Sequence, residues 1–336
     1  MNLKPLFFLI TSTYILLGAN TLAHAQESDS SDEQTTSDAA KKEDKSDLSS
    51  AIEEGIEVID IIKRDTTTES ALDNRIAGDK EALDNVFAIT QHRQNYLLPF
   101  TYVKNPNSAG NQDLTEENVD SKEAKFQVSM KLPLYLEDTG FDGLYFGFTL
   151  TSFWQLYNSE VSKPFRETNY EPEVFWQKTG DYSVLGYKFN TFQLGFNHMS
   201  NGQSGLRSRS WNRIFASITF SDNDDIYYLK TWYRVPEDEK DDPLDASGDD
   251  NPDIEDFYGR FEFGYGRKIG AFKMLALVRN NLDFDENRGS FQLDMTYPIS
   301  DRYELLVQYF NGYGDSLIDY NRSQERIGIG FQVTFL

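Results

Sequence analysis

The chain reads as an all-β protein, an antiparallel transmembrane β-barrel of about 12 strands behind a disordered acidic N-terminal extension. Three observations predict it. The chain opens on an export signal, and no later stretch approaches the roughly 18 to 20 consecutive apolar residues that a membrane helix needs. From about residue 96 to 336, segments of about ten residues alternate apolar and polar side chains between turn-rich breaks.

The elements follow in order. Lys4, the apolar run over 5–17 and the small-residue site Ala23–His24–Ala25 predict a signal peptide over 1–25, cleaved before Gln26. Residues 26–90 form an acidic, low-complexity extension on the periplasmic side. From Gln26 to about Asp47 it is Ser, Asp, Glu, Lys and Thr with almost nothing to bury, which predicts disorder. Ile52, Ile56, Ile59 and Ile62 recur at helical spacing and predict a short amphipathic helix. The barrel domain occupies 91–336. There is no cysteine, so no disulfide braces the exported chain. The formal net charge of −23 argues against nucleic acid and anionic lipid headgroups as partners. It suits divalent cations, although a solvated acidic surface accounts for it equally well.

Strands are predicted near 96–105, 125–134, 144–155, 171–178, 190–199, 211–222, 226–234, 256–267, 271–281, 289–298, 302–311 and 326–336. The clearest is the last, where Ile327, Ile329, Phe331, Val333 and Phe335 alternate with Gly328, Gly330, Gln332 and Thr334. Another sets Phe291, Leu293, Met295 and Tyr297 against Gln292, Asp294 and Thr296. In the eighth, Phe257, Phe261, Phe263 and Tyr265 alternate with Tyr258, Arg260 and Glu262. A soluble sandwich alternates too. The export signal, aromatic residues near strand ends and a strand at the C-terminus favour the outer-membrane barrel. An even count puts both termini on the periplasmic side. About 12 strands enclose less lumen than the 16 to 18 of porins. Arg260, Glu262, Asp294, Glu304 and Gln308 are the inward positions expected to fill that lumen with a hydrogen-bonded network. The longest loop, 236–256, is strongly acidic and predicted extracellular.

Chemistry concentrates in Phe196–Asn197–His198–Met199–Ser200–Asn201–Gly202 and in Asn212. His198 and Ser200 are two apart on a strand and so share a face. The positions of the same parity are Phe192, Leu194 and Phe196, the apolar set that faces lipid in a membrane barrel. Asn212 is likewise in line with Ile214, Ala216, Ile218 and Phe220, with Phe215 an exception on the opposite face. A nucleophile and base there would meet a substrate arriving from the bilayer. Ser200 is the candidate nucleophile, His198 the general base that takes its proton, and Asn212 the group that holds the imidazole tautomer. An asparagine keeps the orientation without holding a carboxylate ionised beside lipid. His24 leaves with the signal peptide, and His92 reads as a solvated polar residue before the first strand. A noncatalytic barrel, acting as a small channel or structural protein, is the competing reading, and a lipase acting on exogenous lipids a further one.

At these residues the chain resembles the outer-membrane phospholipase A family of Gram-negative bacteria. Besides the histidine block, the likeness is carried by Trp154–Gln155–Leu156, Asn158–Ser159–Glu160 and Pro164–Phe165–Arg166–Glu167–Thr168–Asn169–Tyr170–Glu171–Pro172. Ser208–Arg209–Ser210–Trp211–Asn212–Arg213, Asp250–Asn251–Pro252–Asp253–Ile254 and Gly312–Tyr313–Gly314–Asp315–Ser316–Leu317–Ile318–Asp319–Tyr320–Asn321 complete it. It covers nearly everything from about residue 90 onward. The resemblance implies calcium-dependent hydrolysis of the acyl esters of glycerophospholipids, with phospholipase A1/A2 and lysophospholipase activity. It also implies a membrane-embedded homodimer, inactive as a monomer, with Ser200, His198 and Asn212 in the roles given above. The calcium ligands it implies are main-chain oxygens of Gln203 and Ser208, with Ser162 contributing across the dimer. Gly202 would offer its N–H to the oxyanion, although an Asn–Gly pair is by itself a turn former. Gln203 stands where the family commonly has an arginine, and Leu150 where it usually has a glutamine near the dimer face. The terminal Leu336 replaces the usual aromatic residue.

Overall fold

A computed structural model describes residues 71–85 and 87–335; the predicted signal peptide, acidic tail and helix through Ile52 to Ile62 lie outside the described residues. The body is twelve antiparallel strands. They are β1 (Tyr96–Lys104), β2 (Lys122–Leu136), β3 (Gly143–Trp154), β4 (Phe165–Thr179), β5 (Tyr187–Ser200) and β6 (Ser210–Asp222), followed by β7 (Asp225–Val235), β8 (Phe261–Ile269), β9 (Phe272–Asn280), β10 (Gly289–Pro298), β11 (Tyr303–Gly312) and β12 (Gln324–Val333). Each pairs with its neighbours in sequence, and β12 pairs back onto β1 with Arg326 opposite Val103 and Gln332 opposite Tyr96. The sheet therefore closes on itself and leaves no edge. The connections 137–142, 180–186, 223–224, 270–271 and 299–302 are short and lie at the end that carries the termini; the long loops lie at the other.

Side chains sort by parity. Phe100, Leu194, Phe196, Ile214, Leu229, Ile327, Ile329 and Phe331 stay exposed on the outside, the apolar band a bilayer requires. Inward positions are polar and buried, among them Asp294, Glu304 and Gln308 as expected, and Glu262 lines the interior cavity of about 390 Å³. Arg260 does not point inward. It is exposed and pairs with Glu255 at 3.3 Å, because residues Ile254–Tyr258 form a short helix, α2, where an eighth strand was expected to begin. Gly259 ends α2 at φ 69°, and Tyr258 turns inward against Trp211. β4, in turn, starts at Phe165 rather than near residue 171. Its first turns are fixed from inside by Arg166, which is fully buried between Glu123 at 3.0 Å and Asp319 at 2.9 Å.

The interior carries two charged clusters and an aromatic one. Nearer the long loops, Glu123 also meets Arg326 at 2.7 Å, and Asp315 binds Arg326 at 2.6 Å and Lys125 at 3.0 Å. Deeper, Arg93 grips Glu171 at 2.7 and 2.9 Å and Glu173 at 3.0 Å. His92 belongs to this second cluster. Far from being solvated, its side chain is only 8% exposed, hydrogen-bonds Glu173 and stacks on Phe175 at 5.1 Å. Phe215 breaks the polar alternation because it joins Phe175, Tyr145, Trp211 and Trp232 in a buried aromatic cluster, with the Lys230 ammonium 4.1 Å above its ring.

The helix α1 (Ala71–Leu83) lies at the short-turn end. Leu72 and Leu83 are its buried residues. Asp79 pairs with Lys131 at 3.0 Å and Asp73 with Lys188 at 2.8 Å. Arg75 donates to the carbonyls of Phe335 at 2.9 Å and Gln91 at 3.0 Å, and its guanidinium covers the Phe335 ring at 3.8 Å. The helix thus joins the start of the barrel to its end.

Candidate active site

β5 and β6 form a hairpin whose loop end carries the site. Their register sets His198 opposite Asn212 and Ser200 opposite Ser210. Leu194 and Phe196, in parity with His198, are 49% and 46% exposed, whereas Asn197 is fully buried. His198, Ser200 and Asn212 therefore occupy the outward face, at the head of the apolar stripe. His198 Nδ1 lies 2.9 Å from Asn212 Oδ1. An amide oxygen only accepts, so Nδ1 carries the proton and Nε2 keeps its lone pair. Ser200 is the next residue on that face, a rise of about 6.7 Å along the strand. Among the described residues, no hydrogen bond joins its hydroxyl to the imidazole. Nucleophile–base contacts of this kind are often loose before substrate is seated.

The opposite face of the same wall holds these positions still. Arg213 donates to Asn197 Oδ1 at 3.0 and 2.6 Å and to Glu171 at 2.9 Å, and Asn197 Nδ2 reaches Glu171 at 2.7 Å. The Arg213 guanidinium also lies 4.1 Å over Trp211. Asn197, Trp211 and Arg213 are each adjacent in sequence to a site residue, yet face the lumen. Outward parity alone passes over them.

The loop 201–209 is organised by Asn201. Its Oδ1 accepts from the backbone N–H of Arg209 at 3.0 Å and Gln203 at 3.3 Å, and its Nδ2 donates to the Arg207 carbonyl at 2.9 Å. Gly202 sits at φ 64°, where a Cβ would stand 3.3 Å from the Tyr170 ring. Gly202→Ala should therefore carry about 1–2 kcal/mol of left-handed strain. The expected outcome is a kcat at least about tenfold lower, with the barrel still folded and its thermal transition lowered by only a few degrees.

Gln203 and Ser208, implied as calcium ligands, lie in this loop. The Ser208 carbonyl accepts from Arg209, and its hydroxyl donates to Asp250 at 2.7 Å; Ser210 reaches the same carboxylate oxygen at 3.1 Å. Ser162 is exposed in the β3–β4 loop, and no hydrogen bond among the described residues links it to residues 201–209. The donors are all oxygens, which suits calcium. Among the described residues no group of three or more His, Cys, Asp or Glu gathers as a metal cage, so the fit is that of a weak site.

Two acidic residues near the site escaped the sequence reading of individual positions. Asp250 was visible only as part of the block Asp250–Asn251–Pro252–Asp253–Ile254. Glu237 had no signal of its own. It accepts from Asn212 Nδ2 at 2.9 Å. Val235, two residues earlier, is the register partner of Asn212, so an extended continuation of β7 returns Glu237 to the same outward face.

A closed barrel with an apolar outer band is the architecture of an integral outer-membrane protein, and Ser200, His198 and Asn212 share its outward face. A family profile described as Phospholipase A1 matches residues 72–333. Phospholipase A1 of Escherichia coli K12 is 35% identical over 264 residues, 78% of this chain and 86% of that protein. An active-site asparagine-to-alanine mutant of E. coli outer membrane phospholipase A superposes with a TM-score of 0.69 at 35% identity, covering 77% of this chain and 96% of that one. The outer membrane phospholipase dimer of Salmonella typhi, solved with bound calcium, gives 0.68 at 32% identity over 80% and 99%. This chain belongs to the phospholipase A1 family. It is a phospholipase built on an outer-membrane barrel, and the reading as a noncatalytic channel or structural protein falls away.

Proposed function

We propose that this phospholipase hydrolyses acyl esters of glycerophospholipids in the Gram-negative outer membrane, as a calcium-dependent homodimer, with Ser200, His198 and Asn212 as its reacting group. The observation that carries the reading is the His198–Asn212 hydrogen bond on the lipid-facing side of the wall. His198 Nε2 takes the Ser200 proton as the serine oxygen attacks the acyl carbonyl carbon. The Gly202 N–H holds the oxyanion of the tetrahedral intermediate. The imidazolium then gives its proton to the departing glycerol oxygen, leaving an acyl-serine and a lysophospholipid. A water molecule, deprotonated by His198, attacks the acyl-serine, releases the fatty acid and restores Ser200. Asn212 holds the ring in one tautomer throughout.

Gln203 and Ser208 would hold calcium through their main-chain oxygens, together with the partner subunit's Ser162; when bound, the ion adds positive charge that stabilises the oxyanion. The Salmonella relative, a dimer with bound calcium, supports this assignment. The E. coli relative with its active-site asparagine replaced supports the role of Asn212. Two barrels side by side would also form the groove that holds the acyl chains. In the full chain, 1–25 would direct export, 26–90 would remain periplasmic as an acidic extension, and 91–336 would form the barrel domain.

The test is fatty-acid release from phospholipid–detergent micelles, with calcium and with chelator. Release should stop on chelation and return with calcium at about 10⁻⁴–10⁻³ M, the affinity of sites poor in carboxylates. A folded, dimeric, calcium-supplied protein that releases no fatty acid would overturn the proposal.

A further inference from the structure

We propose that Glu237 is a positioning residue for the hydrolysis, acting through Asn212 to fix the direction of the hydrogen-bond chain that ends at Ser200. The inference rests on the assignment of Ser200, His198 and Asn212 made above. An amide side chain can present either its oxygen or its NH₂ to the imidazole, and the two faces have opposite consequences. With the oxygen toward His198, Nδ1 is the donor and Nε2 is free to accept the serine proton. With the NH₂ toward His198, Nδ1 becomes the acceptor, the proton moves to Nε2 and the ring no longer acts as a base. An ionised carboxylate only accepts. By taking the Asn212 Nδ2–H at 2.9 Å, Glu237 obliges the amide oxygen to face His198, where it lies 2.9 Å from Nδ1. The same carboxylate places a negative charge one amide away from the imidazolium that forms during reaction. That restores part of the charge stabilisation an asparagine gives up relative to an aspartate.

The geometry around Glu237 is built rather than incidental. β7 runs beside β6 with Val235 opposite Asn212, and Pro236 fixes the backbone before Glu237. The loop beyond is tied down at several points. Arg234 grips Asp249 with both contacts at 2.6 Å and donates to the Pro252 carbonyl at 2.9 Å. The Asp249 N–H reaches the Asp238 carbonyl at 2.8 Å, next to Glu237 itself. Lys240 pairs with Asp250, and Asn251 Oδ1 accepts the Ser210 N–H at 3.0 Å. The acidic loop, predicted as extracellular, therefore delivers one carboxylate to the site.

A double-mutant cycle tests the role in the full-length protein, refolded in detergent and supplied with calcium. Glu237→Ala should lower kcat about tenfold, the scale of losing a supporting hydrogen bond one residue from a reacting group, with KM and the calcium dependence unchanged. Glu237→Gln keeps an oxygen acceptor and should recover part of that loss. In an Asn212→Ala background, Glu237→Ala should have no further effect. The rate at which a serine-directed organophosphonate labels Ser200 should fall in parallel, a readout independent of how lipid is presented. Glu239→Ala, an exposed change in the same loop, should leave all of these values at the wild-type level. The same loss in both backgrounds, a change confined to KM or to calcium dependence, or an unaltered kcat would each overturn the proposal. Ser200→Ala, run alongside, tests the underlying assignment separately: full activity there would remove the reacting group itself.

Discussion

Ser200→Ala is expected to lower calcium-stimulated fatty-acid release by at least about 10³-fold, the scale seen when a serine hydrolase loses its nucleophile. The reason for so large an effect is that the neighbouring serine hydroxyl is already committed elsewhere. Ser210, opposite Ser200 in the register, has its hydroxyl engaged with Asp250 at 3.1 Å. The fold should not notice the change. Ser200 ends β5, is not fully buried, and its hydroxyl makes no hydrogen bond among the described residues, so stability should stay within about 0.5 kcal/mol. Measured release and thermal unfolding together check both halves. A folded Ser200→Ala variant with wild-type release would remove the serine mechanism.

The largest effect on stability is expected at the other face of the wall. Glu123 is fully buried and receives Arg166 at 3.0 and 3.1 Å, Arg326 at 2.7 Å and the Gln155 amide at 3.0 Å. Glu123→Ala leaves two buried guanidiniums, with only Asp319 and Asp315 to compensate them. Removing one partner from such a cluster costs about 3–5 kcal/mol, because the remaining charge stays desolvated. Glu123 lies on β2, Arg166 on β4 and Arg326 on β12, so the loss falls across the seam where the barrel closes. The denaturant midpoint of the refolded barrel should drop accordingly. Glu123→Gln, which keeps an acceptor and the volume, should fall between. An unchanged midpoint in Glu123→Ala would mean that the cluster contributes specificity of pairing rather than stability.

Much of this molecule was legible in its sequence because a barrel wall separates two solvents and every strand records the separation at period two. Phe192, Leu194 and Phe196 place His198 and Ser200 on the lipid side without any knowledge of the fold. The same rule failed where a side chain answers to a third environment. Phe215 and Tyr258 look misplaced along their segments and are instead part of an aromatic cluster assembled from β3, β4, β6, β7 and α2. His92 looked solvated because its immediate neighbours Gln91 and Arg93 are polar, and its partner Glu173 is supplied by a distant strand. Glu237 could be read only once the β6–β7 register was known, since its role depends on standing two residues beyond the partner of Asn212. Parity is local information, whereas partnership across the lumen or along a loop is not.

The β12–β1 pairing has a consequence for how the protein comes into being. It joins Gln332 to Tyr96, so the two ends of the barrel must find each other before the wall is continuous. Contacts of such sequence separation form slowly, because the chain between them loses its freedom before the pairing rewards it. A chain that stopped before β12 would carry Ser200, His198, Asn212 and Glu237, but would expose the unpaired edges of β1 and β11. Hydrolysis therefore serves as a reporter of finished assembly: the last strand must be in place before two closed barrels can pair and turn over.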